Sequence, residues 1–226
     1  MNLILLIVAV IISLFITFIT NKYMGKLGII ALYTISNLVA FILSFKLINI
    51  SNLNFISNTL VYVMMLTMLY LLLERKEISE VKKIINFTFF INIFSSMMLY
   101  ITSSYTQSLT DTIGINMTNV FINNYRILLA YPISQFVSQK ILIYVYDRIK
   151  KIYDNLFIST VTTYLLIGLI EILLFSIVAY YNILRNKVII EIILSTYMIR
   201  LIITVIYSLL LPIFLKKAKK VIKWTT

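Results

Sequence analysis

Cysteine and histidine are both absent from this sequence of 226 residues. Their absence excludes disulfides, thiolate nucleophiles, imidazole bases and the usual zinc ligands. Carboxylates are few as well, with eight aspartates and glutamates in the chain, and no HExxH, GxSxG, P-loop or GxGxxG sequence occurs. Hydrolytic and nucleotide-dependent reactions therefore have few candidate residues. We predict that the protein is not an enzyme, and the sequence indicates no cofactor and no metal site.

Charge, glycine and proline are also scarce, and apolar residues take their place. Hydrophobic residues make up 61% of the chain, charged residues make up 12%, and the mean hydropathy is +1.00. Ordinary soluble domains contain roughly 45–50% apolar residues. The composition predicts an all-α fold, a polytopic integral membrane bundle of six to seven transmembrane helices. Neither a linker rich in proline or glycine nor a repeat divides the sequence, so we predict a single transmembrane domain, 1–226.

Seven apolar stretches are long enough to cross a hydrocarbon core of about 30 Å, which needs about 20 residues per helix. They lie at 2–20, 28–50, 55–73, 84–104, 126–146, 156–181 and 188–215. A polar and nearly uncharged segment, 105–125, separates the fourth stretch from the fifth. We predict an external loop there that can pack back on the bundle.

Basic residues in the connections predict the orientation of the spans. Fourteen follow spans one, three, five and seven: Lys22, Lys26, Arg75, Lys76, Lys82, Lys83, Arg148, Lys150, Lys151, Lys216, Lys217, Lys219, Lys220 and Lys223. The other side has four: Lys46, Arg126, Arg185 and Lys187. This asymmetry predicts an external N-terminus and a cytoplasmic C-terminus in a bacterial plasma membrane. The net charge of +12 then faces lipid headgroups and no nucleic acid, with the KKAKK run as a topology anchor.

Span five carries more polar residues than contact with lipid explains. At helical spacing one face of it holds Tyr131, Ser134, Gln135, Ser138 and Gln139. Lys140 lies on the opposite side, where its ammonium is predicted to snorkel to the headgroups. Pro132 leaves a backbone carbonyl without its donor, which a neighbouring helix or a water-lined cavity must accommodate.

Spans six and seven carry similar stripes. They consist of Thr160, Tyr164, Gly168 and Glu171 in span six, and of Thr196, Tyr197, Arg200, Thr204 and Tyr207 in span seven. Because the two spans run in opposite directions, we predict that Glu171 and Arg200 pair near the middle of the membrane. Weaker polar positions occur in span two, at Tyr33 and Asn37, and in span four, at Asn92.

One interpretation is that these stripes do no more than hold the helices together, through hydrogen bonds worth roughly 0.6 kcal/mol each. Three facing stripes exceed that need, so we predict a polar cavity between spans five, six and seven that binds a small polar or aromatic solute. The amides of this cavity would supply hydrogen-bond donors and acceptors, and its tyrosines would supply stacking surfaces. The substrate could enter or displace its charge pair. The predicted substrate-binding residues are Tyr131, Gln135, Ser138, Gln139, Tyr164, Glu171, Tyr197 and Arg200.

The same stretches resemble a known family. RILLAYPISQFVSQK (126–140) resembles the region of the VUT family, the queuosine-precursor transporters, in which an Arg-Ile pair opens a helix that ends in Ser-Gln. IEILLF (170–175) is similar to the family's Ile-Asp-(Ser/Thr)-x-x-Phe, and TYMIR (196–200) is similar to its Thr-Tyr-x-x-Lys. The chain is therefore identified as a divergent member of the VUT family.

Other positions depart from the family pattern. The family's third-helix motif, an Asp and a Glu followed by Tyr-Gly, appears here as Met68, Leu72, Glu74 and Arg75. The Asp after Ser-Gln is Leu142, and the Gln expected before Glu171 is Gly168. The resemblance implies a helical fold similar to the substrate-binding subunits of vitamin uptake systems, and the import of a deazapurine precursor of a modified tRNA base. The departures leave the substrate open.

Two other functions stay open from the sequence. One is a non-transporting membrane protein, such as an immunity or assembly factor, which a dry and filled core would favour. The other is a vitamin-type substrate-binding subunit that works with an energising partner subunit, since no energising motif is visible. The predicted partners are a small-molecule substrate and the lipid bilayer.

Overall fold

Helices make up most of the computed structural model, which describes residues 2–50, 53–106, 108, 111 and 114–221. Within these ranges the helices are α1 (Asn2–Tyr23), α2 (Gly25–Leu43), α3 (Thr59–Glu74), α4 (Ile78–Ser103), α5 (Gly114–Met117), α6 (Tyr125–Ile152), α7 (Leu156–Tyr180) and α8 (Asn186–Val221). Two strands, β1 (Leu47–Ile50) and β2 (Leu53–Ile56), form an antiparallel hairpin, and a π-helical turn spans Thr118–Ile122. The predicted all-α fold class is confirmed.

Five of these helices are long and apolar enough to cross a membrane, namely α1, α2, α4, α7 and the Asn186–Leu215 part of α8. Helix α3 is apolar but has only 16 residues, and α6 has 28 residues but carries the polar face predicted for span five. Every residue of α3 from Thr59 to Leu72 except Val61 is buried, so α3 lies inside the bundle and meets almost no lipid. The chain is a multi-pass membrane protein.

Short connections make consecutive helices antiparallel and give the bundle two ends. We call the end that holds the α1–α2, α3–α4 and α6–α7 connections the basic end. There Arg75 Nη2 donates to Asn21 Oδ1 at 2.7 Å, and Lys26 pairs with Glu77 at 2.8 Å. The opposite end holds β1 and β2, and we call it the hairpin end.

The hairpin is the main departure from the predicted spans. Span two is predicted to reach residue 50 and span three to begin at residue 55, but α2 ends at Leu43 and α3 begins at Thr59. Between them Ile48 pairs with Phe55 and Asn49 pairs with Asn54. By this register Ile48, Ile50, Leu53 and Phe55 share one apolar face of the hairpin, and Asn49 and Asn54 lie on the other face. Hydropathy alone does not distinguish such short, mostly apolar strands from the ends of apolar helices, so these span boundaries are wrong.

The connection before α6 packs on the bundle, as predicted for segment 105–125. The ring of Phe121 lies 5.1 Å from the ring of Phe45, and Thr118 Oγ1 donates to the backbone oxygen of Ser103 at 3.1 Å. Residues 107, 109, 110, 112 and 113 of this segment lie outside the described residues. So do Lys223 and the side chains of the KKAKK run.

Two hydrophobic clusters fill the bundle. The larger one occupies the basic half and includes Leu142 of α6, Tyr164 of α7 and Ile203 of α8. The smaller one lies toward the hairpin end and includes Ile56 of β2 and Phe175 of α7. Two of the residues predicted for the site belong to these clusters, Tyr164 to the larger and Tyr131 to the smaller. Along α6, α7 and α8, the others fall between the positions that enter the two clusters: Gln135, Ser138, Gln139, Glu171, Tyr197 and Arg200.

Candidate functional site

A fully buried ion pair joins α7 to α8, as the sequence predicts. Arg200 Nη1 donates to Glu171 Oε2, and both side chains have an exposed fraction of 0%. Arg200 Nη2 also donates to Asn58 Oδ1 at 2.9 Å, and the guanidinium carbon lies 4.0 Å from the ring centroid of Tyr62. The arginine therefore has an anionic, a polar and an aromatic partner on three sides.

A row of hydrogen bonds runs from this pair across α6 to α2. Gln135 Nε2 donates to Glu171 Oε1 at 3.0 Å, and Gln139 Nε2 donates to Gln135 Oε1 at 2.8 Å. The hydroxyl of Tyr33 donates to Gln139 Oε1 at 2.6 Å. The two glutamines lie four residues apart and hence on one face of α6. We call the complete set the polar chain: Tyr33, Gln139, Gln135, Glu171, Arg200 and Asn58.

Further amide contacts support the polar chain from α2, α3 and α4. Asn92 Nδ2 donates to Asn37 Oδ1 at 2.6 Å, and Asn37 Nδ2 donates to Met65 Sδ at 3.2 Å. Gln139 Nε2 also lies 3.6 Å from Met65 Sδ. The sequence-predicted residue Tyr131 joins this group, since its hydroxyl donates to the backbone oxygen of Asn37 at 3.0 Å. Tyr131 therefore faces α2 and not the ion pair.

Two more of the predicted site residues lie apart from the polar chain. Ser138 Oγ donates to the backbone oxygen of Gln135 at 3.1 Å, within its own helix. Tyr197 is half-buried, and its hydroxyl donates to the backbone oxygen of Leu165 at 2.9 Å, which ties α8 to α7. Helical spacing placed these residues on the polar face, but their hydroxyls bond to backbone.

The carbonyl freed by Pro132 has found a donor on a neighbouring helix. A proline at position 132 cannot donate to the carbonyl four residues earlier, at Leu128. Ser96 Oγ of α4 donates to that oxygen at 2.7 Å and also to the backbone oxygen of Asn92 at 2.8 Å. This confirms the predicted accommodation by a neighbouring helix, at an oxygen two turns before the first glutamine of the polar chain.

Lys140 lies off the polar chain, as predicted, but its ammonium does not extend toward the nearer end of α6. The ammonium nitrogen lies 5.1 Å from the ring centroid of Phe136, one turn toward the hairpin end. Side chains on a helix lean toward its N-terminus, and an aromatic ring there attracts the cation. The predicted snorkelling to the headgroups is therefore wrong in direction.

Three buried polar atoms around the ion pair have no hydrogen-bond partner among the residues that the structure describes. They are Arg200 Nε, Asn58 Nδ2 and Tyr62 Oη. Each can donate a hydrogen bond, and an unmatched buried donor costs about 1–3 kcal/mol. The pair therefore presents spare donors to any acceptor group that reaches it.

A small cavity lies next to the ion pair on the side of the basic end, between α3, α7 and α8. Its volume is about 10 Å³, and the hydroxyls of Tyr70, Tyr164 and Thr204 that line it have no partner among the described residues. A space of this size holds about one water. The ring of Tyr164, a predicted site residue, separates this cavity from Tyr62, whose ring centroid is 6.4 Å away.

Gly168 determines where the Tyr164 ring can lie. A Cβ atom at position 168 would approach Tyr164 Cζ to 2.9 Å. Because real Cβ atoms do not approach other atoms so closely, the glycine allows the ring to lie against α7. The family-type glutamine expected at this position would not fit beside the ring as it stands.

Strand β2 covers the polar chain from the hairpin end. The Ile56 amide donates to Thr196 Oγ1 at 3.2 Å, and Asn54 Nδ2 donates to Glu191 Oε1 at 2.8 Å. Ser195 Oγ donates to the backbone oxygen of Asn54. These bonds hold the hairpin on α8 just before the chain reaches Asn58.

Sequence reasoning missed Asn58 and Tyr62. Helix α3 is apolar on all sides, so no polar stripe distinguishes Tyr62, and Asn58 falls at the wrongly predicted start of span three. The available signal was the family's third-helix motif, which indicates that this helix faces the site. In this chain that motif falls on Met68 and Leu72, both of which are buried.

Comparison with known proteins gives one match. A family model described as "Putative vitamin uptake transporter" matches residues 57–215, which is 159 of the 226 residues. The matched range contains every member of the polar chain except Tyr33. No curated protein and no solved structure matches the chain.

Proposed function

The chain belongs to the VUT family, whose model is described as "Putative vitamin uptake transporter", and on this basis we propose that it binds a small polar solute at the polar chain and carries it across the membrane. One observation carries the proposal. A buried glutamate, arginine and two glutamines are bonded in series between the two hydrophobic clusters, with spare donors on Arg200, Asn58 and Tyr62. Intramembrane charge is expensive and is typical of a substrate path.

The chemistry of the row suits a nitrogen heterocycle. Each glutamine amide offers a donor and an acceptor, Glu171 offers acceptors and Arg200 offers donors. A purine-like edge also alternates donors and acceptors, so it could replace bonds within the row one for one. Such an exchange needs little net energy, because each bond lost is replaced by another of the same kind. We therefore propose a deazapurine precursor of a modified tRNA base as the substrate.

Loading requires the row to open, since the cavity beside the ion pair holds about one water. Helix α6 is suited to that movement. Pro132 has already removed one of its backbone hydrogen bonds, and Gln135 and Gln139 follow within two turns. We propose that bending of α6 near Leu128–Pro132 moves both amides away from Glu171 and Tyr33 and creates the space.

The charge asymmetry of the connections supports an orientation. We propose that the basic end faces the cytoplasm of a bacterial cell and the hairpin end faces outside, since cytoplasmic connections carry the excess of lysine and arginine. Import would then begin beneath the hairpin and end at the basic end.

Uptake and binding measurements test this proposal. Cells that express the protein should accumulate a labelled deazapurine faster than cells with an empty vector. The purified protein in lipid nanodiscs should be stabilised by the same compound, by about 2.7 kcal/mol at one hundred times its dissociation constant. If vitamins are taken up and stabilise the protein while deazapurines do neither, the transport proposal holds and the proposed substrate is wrong. If no compound of either class is taken up or stabilises the folded protein, the transport proposal fails.

The closed packing around the ion pair favours a second function. A non-transporting membrane protein, such as an assembly factor, would use the polar chain only to hold its helices together. The same nanodisc experiment separates the two, because helix contacts alone give no stabilisation by a solute. A substrate-binding subunit that needs an energising partner would bind the compound in nanodiscs but would not accumulate it in cells that lack the partner.

A further inference from the structure

A second pocket opens between α4 and α6 at the basic end, away from the polar chain. Its volume is about 510 Å³. It is lined by Ile78, Lys82, Ile143, Tyr144, Val145, Asp147 and Arg148. None of these residues belongs to the polar chain, so the pocket needs a separate explanation.

The rim of the pocket carries uncompensated positive charge. Lys82 and Arg148 are exposed, and neither has an ion pair or hydrogen bond within the part of the chain that the structure describes. Asp147 is the acidic residue of the lining, but Lys151 pairs with it at 2.6 Å. The rim therefore keeps two free cations, one of them a guanidinium, whose planar donors suit a phosphate.

The rest of the pocket lining is apolar or aromatic, and we call this part the groove. It consists of Ile78 of α4 and of Ile143, Tyr144 and Val145 of α6. Tyr144 lies one turn deeper than Arg148 and is 64% exposed. Further along α6 the space between the helices is closed, because the ring of Phe136 lies 4.4 Å from the ring of Phe89 of α4, with the Lys140 ammonium 5.1 Å from the Phe136 ring. From the rim into the groove the surface changes from charged to apolar, as it does for a lipid lying between headgroup and acyl region.

We propose that this pocket binds the headgroup phosphate of an anionic phospholipid, with an acyl chain along the groove between α4 and α6. Lys82 and Arg148 would hold the phosphate, and Tyr144 and Ile143 would contact the first part of the acyl chain. A soluble phosphate would use the rim but would leave the apolar depth of the groove without a partner. A basic pocket between membrane helices also has the chemistry of a lipid headgroup site.

Lipid binding to the purified full-length protein tests the inference. Native mass spectrometry and thermal unfolding would compare nanodiscs of phosphatidylglycerol in phosphatidylcholine with nanodiscs of phosphatidylcholine alone. We expect one retained phosphatidylglycerol and a higher unfolding temperature in the first case. Each basic residue near the surface contributes about fivefold to the affinity, so Lys82→Gln with Arg148→Gln should weaken retention about 30-fold.

The matched control removes the same charge from the same end of the bundle. Lys76→Gln with Lys83→Gln changes exposed lysines that do not line the pocket, and it leaves the Lys151–Asp147 pair intact. This variant should retain the lipid within about twofold of the wild type. Equal loss of the retained lipid in both double variants would show that the lipid is attracted by the overall positive charge of the surface. That result would overturn the proposed site.

Two other results would also overturn it. One is equal retention of phosphatidylcholine, and the other is displacement of the lipid by millimolar inorganic phosphate, which would indicate a soluble anion as the ligand. Both variants should unfold at the wild-type temperature in pure phosphatidylcholine, because all four side chains are exposed.

Discussion

Glu171 of α7 and Arg200 of α8 neutralise one another with both side chains at 0% exposure. Bringing two charges out of water is costly, and their attraction offsets that cost only when every remaining donor and acceptor is satisfied. Gln135 and Asn58 satisfy most of them, while Arg200 Nε has no partner in the described part of the chain. The pair is therefore a site that a further acceptor would stabilise.

Removing one member of this ion pair should destabilise the protein more than removing both members. We expect Glu171→Gln or Arg200→Gln alone to lower the free energy of unfolding by about 3–5 kcal/mol, because each strands a buried charge. The double variant should recover part of that loss, since it strands none. Urea or thermal unfolding in nanodiscs measures all three. A double variant that loses the sum of the two single losses would contradict the pairing.

Substitution of Gln139 should affect stability and uptake much more than substitution of its neighbour Lys140. Gln139→Ala leaves the Gln135 oxygen without its donor, at about 1–3 kcal/mol, and leaves the Tyr33 hydroxyl with the longer contact to Thr88 Oγ1 at 3.4 Å. We expect it to lower both the stability and the uptake of the substrate. Lys140→Gln, one residue away on the other face, should leave uptake nearly unchanged. Uptake assays at equal expression levels measure the difference. An equal loss of uptake in both variants would contradict the assignment of Gln139 and Lys140 to different functional faces of α6.

Gly168→Ala should destabilise the protein even though alanine suits a helix better. The propensity gain is about 1 kcal/mol, while a Cβ at 2.9 Å from Tyr164 Cζ forces the ring to move, at about 1–3 kcal/mol. The effect should be smaller in a Tyr164→Leu background, which removes the clashing atom. If Gly168→Ala costs the same in both backgrounds, the ring is not the cause.

Ser96 and Pro132 should show coupled effects. Ser96→Ala removes the hydroxyl donor of the Leu128 oxygen and should cost about 1–3 kcal/mol of stability. In a Pro132→Ala background the backbone amide at 132 can donate to that oxygen again, so the cost of Ser96→Ala should fall below about 1 kcal/mol. Unfolding of the four proteins gives the coupling. Independent costs would show that the serine does not serve the proline.

The orientation is open to direct labelling, because the chain has no native cysteine. Single cysteines at Lys83 and Lys151, whose side chains are 74% and 72% exposed, should react with a membrane-impermeant maleimide only after the cells are opened. Cysteines at the exposed positions Asn49 and Arg185 should react in intact cells. Labelling of the Lys83 position in intact cells would reverse the proposed orientation.

Helical periodicity is sufficient to predict the centre of the polar chain. Gln135, Gln139, Glu171 and Arg200 stand out because each is a polar residue on one face of an otherwise apolar helix. Periodicity gives the direction of a side chain but not its partner, which is why Tyr197 was grouped with Arg200 although it bonds to α7 backbone. Asn58 was beyond reach, since its contact depends on a hairpin that docks on α8 across 142 residues of sequence.

The hairpin also connects one end of the bundle mechanically to the buried charge. Asn58 follows β2 after a single residue, so a shift of the strand by one residue, about 3.4 Å, would exceed the length of its bond to Arg200. A molecule that binds Leu47–Ile56 and shifts β2 would therefore break the Asn58–Arg200 hydrogen bond. It would change the electrostatic environment at the centre of the bundle without entering the bundle. By linkage, such a molecule and a solute at the polar chain would change one another's affinity by the same factor.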